Sequence, residues 1–110
     1  MEDSTYLDCD EAAFMRRIII DAIQTRKVLS FSYDGLRRVV EPHAVGRSRT
    51  GNEVLRCFQT KGGHVTPGHE WDFCVFSKIK DLAVTGETFS GERPGYRRGD
   101  SHMTEIYAEL

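Results

Sequence analysis

Arginines and aromatic residues are the side chains of this sequence whose chemistry points furthest toward a function. Five arginines lie in the middle of the chain, between one tyrosine and the single tryptophan, and four of them are candidates for ligand binding. A guanidinium binds phosphate through two parallel hydrogen bonds and also stacks on aromatic rings. Nucleotides and single-stranded nucleic acids are bound by this mixture of cations and stacking surfaces. The predicted ligand-binding residues are Arg38, Arg47, Arg49, Arg56, Lys78, Tyr33 and Trp71.

The distribution of charge favours a basic surface in the middle of the chain. The net charge is −2, which excludes a generically basic nucleic-acid binder. From residue 36 to residue 61, six cationic residues face two carboxylates, whereas from residue 81 onward six carboxylates face three arginines. The alternative is that these charges form ordinary solvated faces. For Tyr33 a place in the core is the favoured interpretation, and for Trp71 the choice between core and stacking surface stays open.

The sequence predicts neither a metal site nor catalysis. Cys57, His64, His69 and Cys74 bracket a glycine-rich segment, but zinc ligands usually include two cysteines about two to four residues apart. The glycines have no phosphate-loop pattern and no helix follows them. No nucleophile stands beside an evident base. We therefore expect no metal, no cofactor and no enzymatic activity.

One amphipathic helix is predicted ahead of these residues, from about residue 10 to residue 27. Asp8 or Asp10 can cap its first turn. Apolar residues recur at helical spacing and form one stripe, which we expect to face the core and to lie across an open end of a sheet. The stripe consists of Met15, Ile18, Ile19, Ala22 and Ile23.

Short strands with tight turns follow the helix. Leu29, Phe31 and Tyr33 are two apart and share one strand face, and Asp34-Gly35 is a strong hairpin signal. Further strands are predicted over 36–42, 53–60, 71–76 and 83–85, with a short turn of helix over 77–82. Residues 104–110 are predicted to form a last turn of helix.

These elements predict an α+β, mainly β fold: an N-terminal helix followed by a small, strongly bent, five-stranded antiparallel β-barrel of the Sm type. The predicted organisation is a flexible lead over 1–9, one domain over 10–89 with its barrel over 28–89, and a mobile tail over 90–110. At 110 residues the chain has the length of one domain.

The compartment is predicted from what the sequence lacks. Three cysteines do not form a disulfide framework. No apolar run is long enough to span a membrane, and the N-terminal residues have no apolar signal core. We therefore expect a cytoplasmic protein without a membrane partner.

The order of these signals resembles the WYL domain, a ligand-sensing module of bacterial regulators, over residues 18–89. The matching segments are Ala22-Ile23, the strand with Val28, Phe31 and Tyr33, Arg38-Val39-Val40-Glu41-Pro42, Val45-Gly46-Arg47 with Gly51, Phe76-Ser77-Lys78-Ile79 with Leu82, and Thr85, Glu87 and Phe89. The tripeptide that names the family falls at Glu53-Val54-Leu55, where only the leucine is kept. Family members usually carry a winged-helix DNA-binding domain ahead of this module, and we expect no room for one here. The resemblance therefore implies a lone effector domain or a fragment of a longer protein.

The resemblance implies a regulatory binding module with an Sm-like barrel. Its expected ligand is a nucleotide or a single strand of nucleic acid, and its expected partner is a DNA-binding protein supplied in trans. The alternative is a protein-interaction domain that forms a homodimer or larger homo-oligomer through strand edges and the helix stripe. Salt distinguishes the two, because phosphate contacts weaken steeply as salt rises and an apolar interface does not.

Overall fold

A computed structural model describes residues 8–62 and 68–110 of the chain. In these ranges the helix α1 is followed by strands β1 to β6, with a short 3-10 helix between β4 and β5. The elements are α1 Cys9–Thr25, β1 Lys27–Tyr33, β2 Leu36–Ser48, β3 Glu53–Gly62, β4 Trp71–Val75, the 3-10 helix Phe76–Lys78, β5 Ile79–Thr88 and β6 Met103–Glu109. Most of the predicted lead, residues 1–7, and His64 lie outside the described residues.

Helix α1 has a side-chain cap at its first turn and a left-handed residue at its end. The carboxylate of Asp8 accepts a hydrogen bond of 2.8 Å from the N–H of Glu11, which satisfies one of the free donors at the first turn. The chain leaves the helix at Arg26, whose φ of 57° is left-handed. Ile19, Ala22 and Ile23 are buried against the sheet. The predicted core-facing stripe is therefore confirmed.

The sheet is antiparallel and open. Its strand order is β4-β3-β2-β1-β5, and β6 pairs with β2 beside this path. The class α+β, mainly β, is confirmed, but the closed Sm-like barrel is not. In the described part of the chain β4 and β5 are the two ends of this strand order. The long strand β2 pairs with β1 through its first half and with β6 through its second half, which places β6 beside the path.

The predicted hairpin between β1 and β2 is confirmed. Tyr33 is paired with Leu36, so the loop contains only Asp34 and Gly35. Both residues have positive φ angles, 53° and 77°. This is the signature of a type I′ turn, whose twist matches that of the flanking strands.

One face of the sheet, here called the inner face, packs against α1. Leu29, Phe31, Leu55, Phe76 and Ile79 are buried there, and each is at most 3% exposed. Alternate residues of β3 and β4 point to the opposite side, here called the outer face. Val54, Arg56, Phe58, Trp71, Phe73 and Val75 belong to it, because they are paired with one another across the two strands.

The end of the chain differs from its prediction. Residues 103–109 form β6, and not a turn of helix, because they pair antiparallel with Ala44–Ser48 of β2. Gly46 makes this pairing feasible, since a Cβ atom there would collide with the carbonyl of Glu105. The 3-10 helix is also shorter than the predicted turn, and β5 begins at Ile79.

No helix in residues 8–62 or 68–110 is long and apolar enough to cross a membrane.

Candidate functional site

Residues 89–102 cross the outer face and are here called the strap. They belong to the segment predicted to be a mobile tail, but several of them are fixed to β2. The Arg93 guanidinium donates to both carboxylate oxygens of Glu41, at 2.7 and 2.9 Å, and lies over the ring of Phe58. The Glu41 side chain is only 8% exposed, whereas the Arg93 side chain is 42% exposed, so the carboxylate of this ion pair is the part shielded from water. Arg93 therefore attaches the strap to the sheet.

His43 forms the second attachment. Its ring is fully buried, and its Nε2 accepts a hydrogen bond of 3.0 Å from the backbone N–H of Arg93. Since Nε2 is the acceptor, Nδ1 must carry the proton, and it donates to the carbonyl of Glu41 at 2.9 Å. Burial is the main cause that lowers the pKa of His43. The neutral ring thus provides a donor for the Glu41 carbonyl on the strand and an acceptor for the Arg93 N–H on the strap.

Aromatic rings surround His43 and continue to the surface. Trp71 meets the histidine edge-on with centroids 4.8 Å apart, and Tyr96 does so at 5.0 Å. The rings of Trp71 and Tyr96 are nearly parallel, with an interplanar angle of 22° and centroids 6.1 Å apart. The indole N–H donates to the carbonyl of Pro94 on the strap. Burial raises the pKa of Tyr96 to about 12, so its hydroxyl stays neutral.

A cleft of about 430 Å³ opens between the strap and strands β3 and β4, and it is the candidate functional site. One wall carries the rings of Trp71 and Tyr96, and the rest is cationic or polar. The lining side chains are Arg56, Trp71, Tyr96, Arg97, Arg98, Asp100, Ser101 and His102, together with Gly95 and Gly99.

Arg56 is held rigidly in the cleft. Its Nε donates to Asp100 at 2.8 Å, and its guanidinium lies 4.3 Å from the ring centroid of Phe73. Burial raises the pKa of Asp100, but the hydrogen bonds from Arg56 and from the N–H of His102 outweigh it and hold that pKa below its ordinary value. Asp100 therefore offsets the charge of Arg56, and Arg56 alone is a weak attraction for an anion.

Arg97 and Arg98 supply the available positive charge. Arg97 is exposed, and its side chain makes no hydrogen bond or ion pair with any residue in the described ranges. Arg98 reaches Glu109 only at 3.5 Å, and its side chain is 69% exposed. A contact of this kind between exposed charges contributes little. An anion in the cleft could therefore bind two guanidinium groups without breaking a strong hydrogen bond or ion pair of either one.

The predicted site residues separate into groups. Arg56 and Trp71 line the cleft. Arg49 lines a neighbouring cleft of about 340 Å³ that shares Ser101 and His102 with the first, and it donates to the carbonyl of Ser101. Arg47 forms an exposed pair with Glu105 at 3.8 Å.

Arg38, Tyr33 and Lys78 lie elsewhere. Arg38 binds Asp72 at 3.3 Å and lies over the ring of Tyr33. Asp72 is paired with Cys57 and therefore belongs to the inner face, opposite to Arg56. Tyr33 is half-buried and its hydroxyl accepts the N–H of Val75, while Lys78 is exposed on the 3-10 helix. The structure does not bring Arg38 and Arg56 onto one face.

The strap's contribution to the cleft is not predicted from the sequence. Tyr96, Arg97, Arg98 and His102 repeat the mixture of arginine and aromatic residues that drew attention to the middle of the chain. The signal was therefore present. It was hidden because glycine, proline and serine around it are typical of mobile segments.

Comparison with family models, with curated proteins and with solved structures found no match to this chain.

Proposed function

We propose that this chain is a regulatory binding module whose ligand carries both a phosphate and an aromatic base, either a nucleotide or a short single strand of nucleic acid. The observation that supports it best is the cleft, where the Trp71 and Tyr96 rings lie next to two exposed arginines. Stacking on such rings contributes about 1–3 kcal/mol per base, and it tolerates any base. Guanidinium groups supply the contacts to phosphate.

The regulatory role comes from the resemblance to the WYL domain. In this proposal the chain is a cytoplasmic, non-catalytic sensor with a WYL-like variant of the Sm-type fold, and it passes ligand binding to a transcriptional or defence-related partner. A DNA-binding protein supplied in trans is the simplest such partner. The strap is the element through which binding would be transmitted, since it lines the cleft and is attached to β2 through Arg93 and His43.

The test is a titration with fluorescently labelled short single strands and with mononucleotides, at low and at moderate salt. We expect binding at low salt that weakens as salt rises, because phosphate contacts release counterions; the slope is about 0.7 per contact for a single strand. Arg97→Ala should weaken binding and reduce that slope. Arg17→Ala is the matched control, since Arg17 is also exposed but lies on α1, away from the cleft.

Two results would contradict this proposal. One is the absence of binding to every probe at low salt. The other is binding that Arg97→Ala and Arg17→Ala weaken equally, because a general attraction to the protein surface would then explain it.

A second candidate function is homo-oligomeric assembly, and the open sheet favours it. β4 and β5 end the strand order in the described part of the chain, and Val84 on β5 is an exposed large apolar residue. Unpaired strand edges are templates for pairing with another chain. Sedimentation at two salt concentrations distinguishes this candidate: a salt-insensitive dimer, together with no ligand binding, would favour assembly as the function.

A further inference from the structure

Two cysteines and an aspartate meet on the inner face of β3 and β4. Cys57 is paired with Asp72, and Cys74 follows Asp72 by two residues, so all three side chains lie on the same side of the sheet. Their sulfur and carboxylate oxygen atoms all lie within 4.8 Å of one another. Both cysteines are buried, whereas the Asp72 side chain retains 22% exposure.

The register of the strands argues against a disulfide between the two cysteines. Cys57 faces Asp72 and Leu55 faces Cys74, so the two cysteines are diagonal neighbours. Diagonal pairs have Cα atoms about 7–8 Å apart, beyond the distance that a disulfide usually spans. Both cysteines are free thiols here.

Arg38, which lies next to this cluster, has one unsatisfied hydrogen-bond donor in the described part of the chain. Its terminal nitrogen binds Asp72, but its Nε is buried and has no acceptor among the described residues. An unsatisfied buried donor is costly, and the neutral thiols beside it are weak acceptors. Thiolates bound to a cation would be better acceptors for this donor than the neutral thiols are.

We propose that Cys57, Cys74 and Asp72 bind one thiophilic divalent cation of the Zn²⁺ class. Each thiol releases one proton to solvent, both sulfurs and one carboxylate oxygen become ligands, and water completes the fourth position. Zn²⁺ favours such tetrahedral sites of sulfur and oxygen. Access is from the β4 side, where Asp72 is partly exposed.

The charges of this site balance when Arg38 is included. Two thiolates and one carboxylate exceed the charge of a divalent cation by one negative unit, and the guanidinium of Arg38 supplies the missing positive unit. Arg38 already holds the Asp72 carboxylate, as residues behind metal ligands usually do. The metal would therefore join β3 to β4 without leaving a net charge in the core.

The test uses the Cys9→Ser chain, since Cys9 is exposed and is the third cysteine. Titration of the reduced protein with Co²⁺ reports thiolate ligands by a charge-transfer absorption. Zn²⁺ should displace the bound Co²⁺ and thereby remove that absorption. We expect one equivalent per chain and a strong slowing of thiol reaction with a disulfide reagent when Zn²⁺ is present. Cys57→Ser and Cys74→Ser should each abolish the absorption.

If these variants fold poorly, two measurements on the Cys9→Ser chain itself still test the metal site. The melting temperature of the Cys9→Ser chain should rise with Zn²⁺, because a ligand that binds only the native state stabilises it. The absence of both the cobalt absorption and the melting shift in this chain would overturn the proposal. A cobalt absorption that survives removal of both core cysteines would also overturn it.

Discussion

At the residue scale, His43 shows how one buried ring determines the conformation of the strap. Both of its nitrogens are used in the neutral form, one toward the strand and one toward the strap. No sequence periodicity predicts the role of His43. The residue lies in a strand next to a proline, and the backbone N–H that its Nε2 accepts belongs to a residue fifty positions away. Its importance could not be predicted from the sequence.

Protonation of His43 should loosen the strap. An added proton on Nε2 would point at the N–H of Arg93 and break that hydrogen bond. The pKa of His43 is lowered in the folded state from an ordinary 6.5, so the unfolded chain takes up the proton first. Folding stability should therefore be complete above about pH 6.5 and decline as the pH falls below that value. Denaturant melts from pH 8 down to about pH 5 measure this decline.

His43→Gln is the matched variant for that prediction, because its amide can offer a donor and an acceptor but does not titrate in this range. Its stability should be lower than that of the parent at pH 8 and should vary less between pH 8 and pH 5. A decline equal to that of the parent would show that another group is responsible.

At the element scale, the helix and the first hairpin could be predicted because their signals are local. The stripe of apolar residues and the cap define α1, and Asp34-Gly35 defines the turn. The closed barrel could not be excluded in the same way. Closure of the barrel would require β5 to pair with β4, two strands at opposite ends of the strand order. No local signal reports such a pairing. The pairing of β6 with β2 is equally non-local, and it requires the absence of a side chain at Gly46.

Gly35→Val should reduce stability by about 1–2 kcal/mol through backbone strain alone. Gly35 has a φ of 77°, and a Cβ atom there would contact nothing within 4 Å. Gly86→Val is the matched control, since Gly86 is equally open but has no positive φ in that strained range. Chemical denaturation of both variants compares them, and equal stabilities would mean that the turn tolerates a different geometry.

At the scale of the whole molecule, the strap connects the end of the sequence to the strands in its middle. The sequence predicts a domain boundary at residue 89, because residues 90–104 are rich in glycine, arginine, serine and proline. The strap is held instead by ion pairs and rings: Arg93 on Glu41, Tyr96 beside His43, and Asp100 on Arg56. Contacts between residues so far apart in the chain are not encoded by any local pattern, so the strap's side of the cleft cannot be predicted from the sequence.

Arg93→Ala should release the strap and reduce stability by about 1–3 kcal/mol, because the buried carboxylate of Glu41 would lose its partner. Arg47→Ala removes a comparable but exposed pair with Glu105 and should change stability by at most about 1 kcal/mol. Arg93→Ala should also weaken ligand binding, since the strap forms one wall of the cleft. Stability equal to that of Arg47→Ala would contradict the role given to Arg93.

Fluorescence of Trp71 tests the central claim most directly, because Trp71 is the only tryptophan of the chain and stands in the wall of the cleft. A mononucleotide or short single strand added at low salt should quench this fluorescence as its base stacks, and ribose phosphate, which lacks a base, should quench it far less. Arg97→Ala should shift the quenching to higher ligand concentration. Fluorescence unchanged by saturating nucleotide and by single strands would contradict the assignment of this cleft as the binding site.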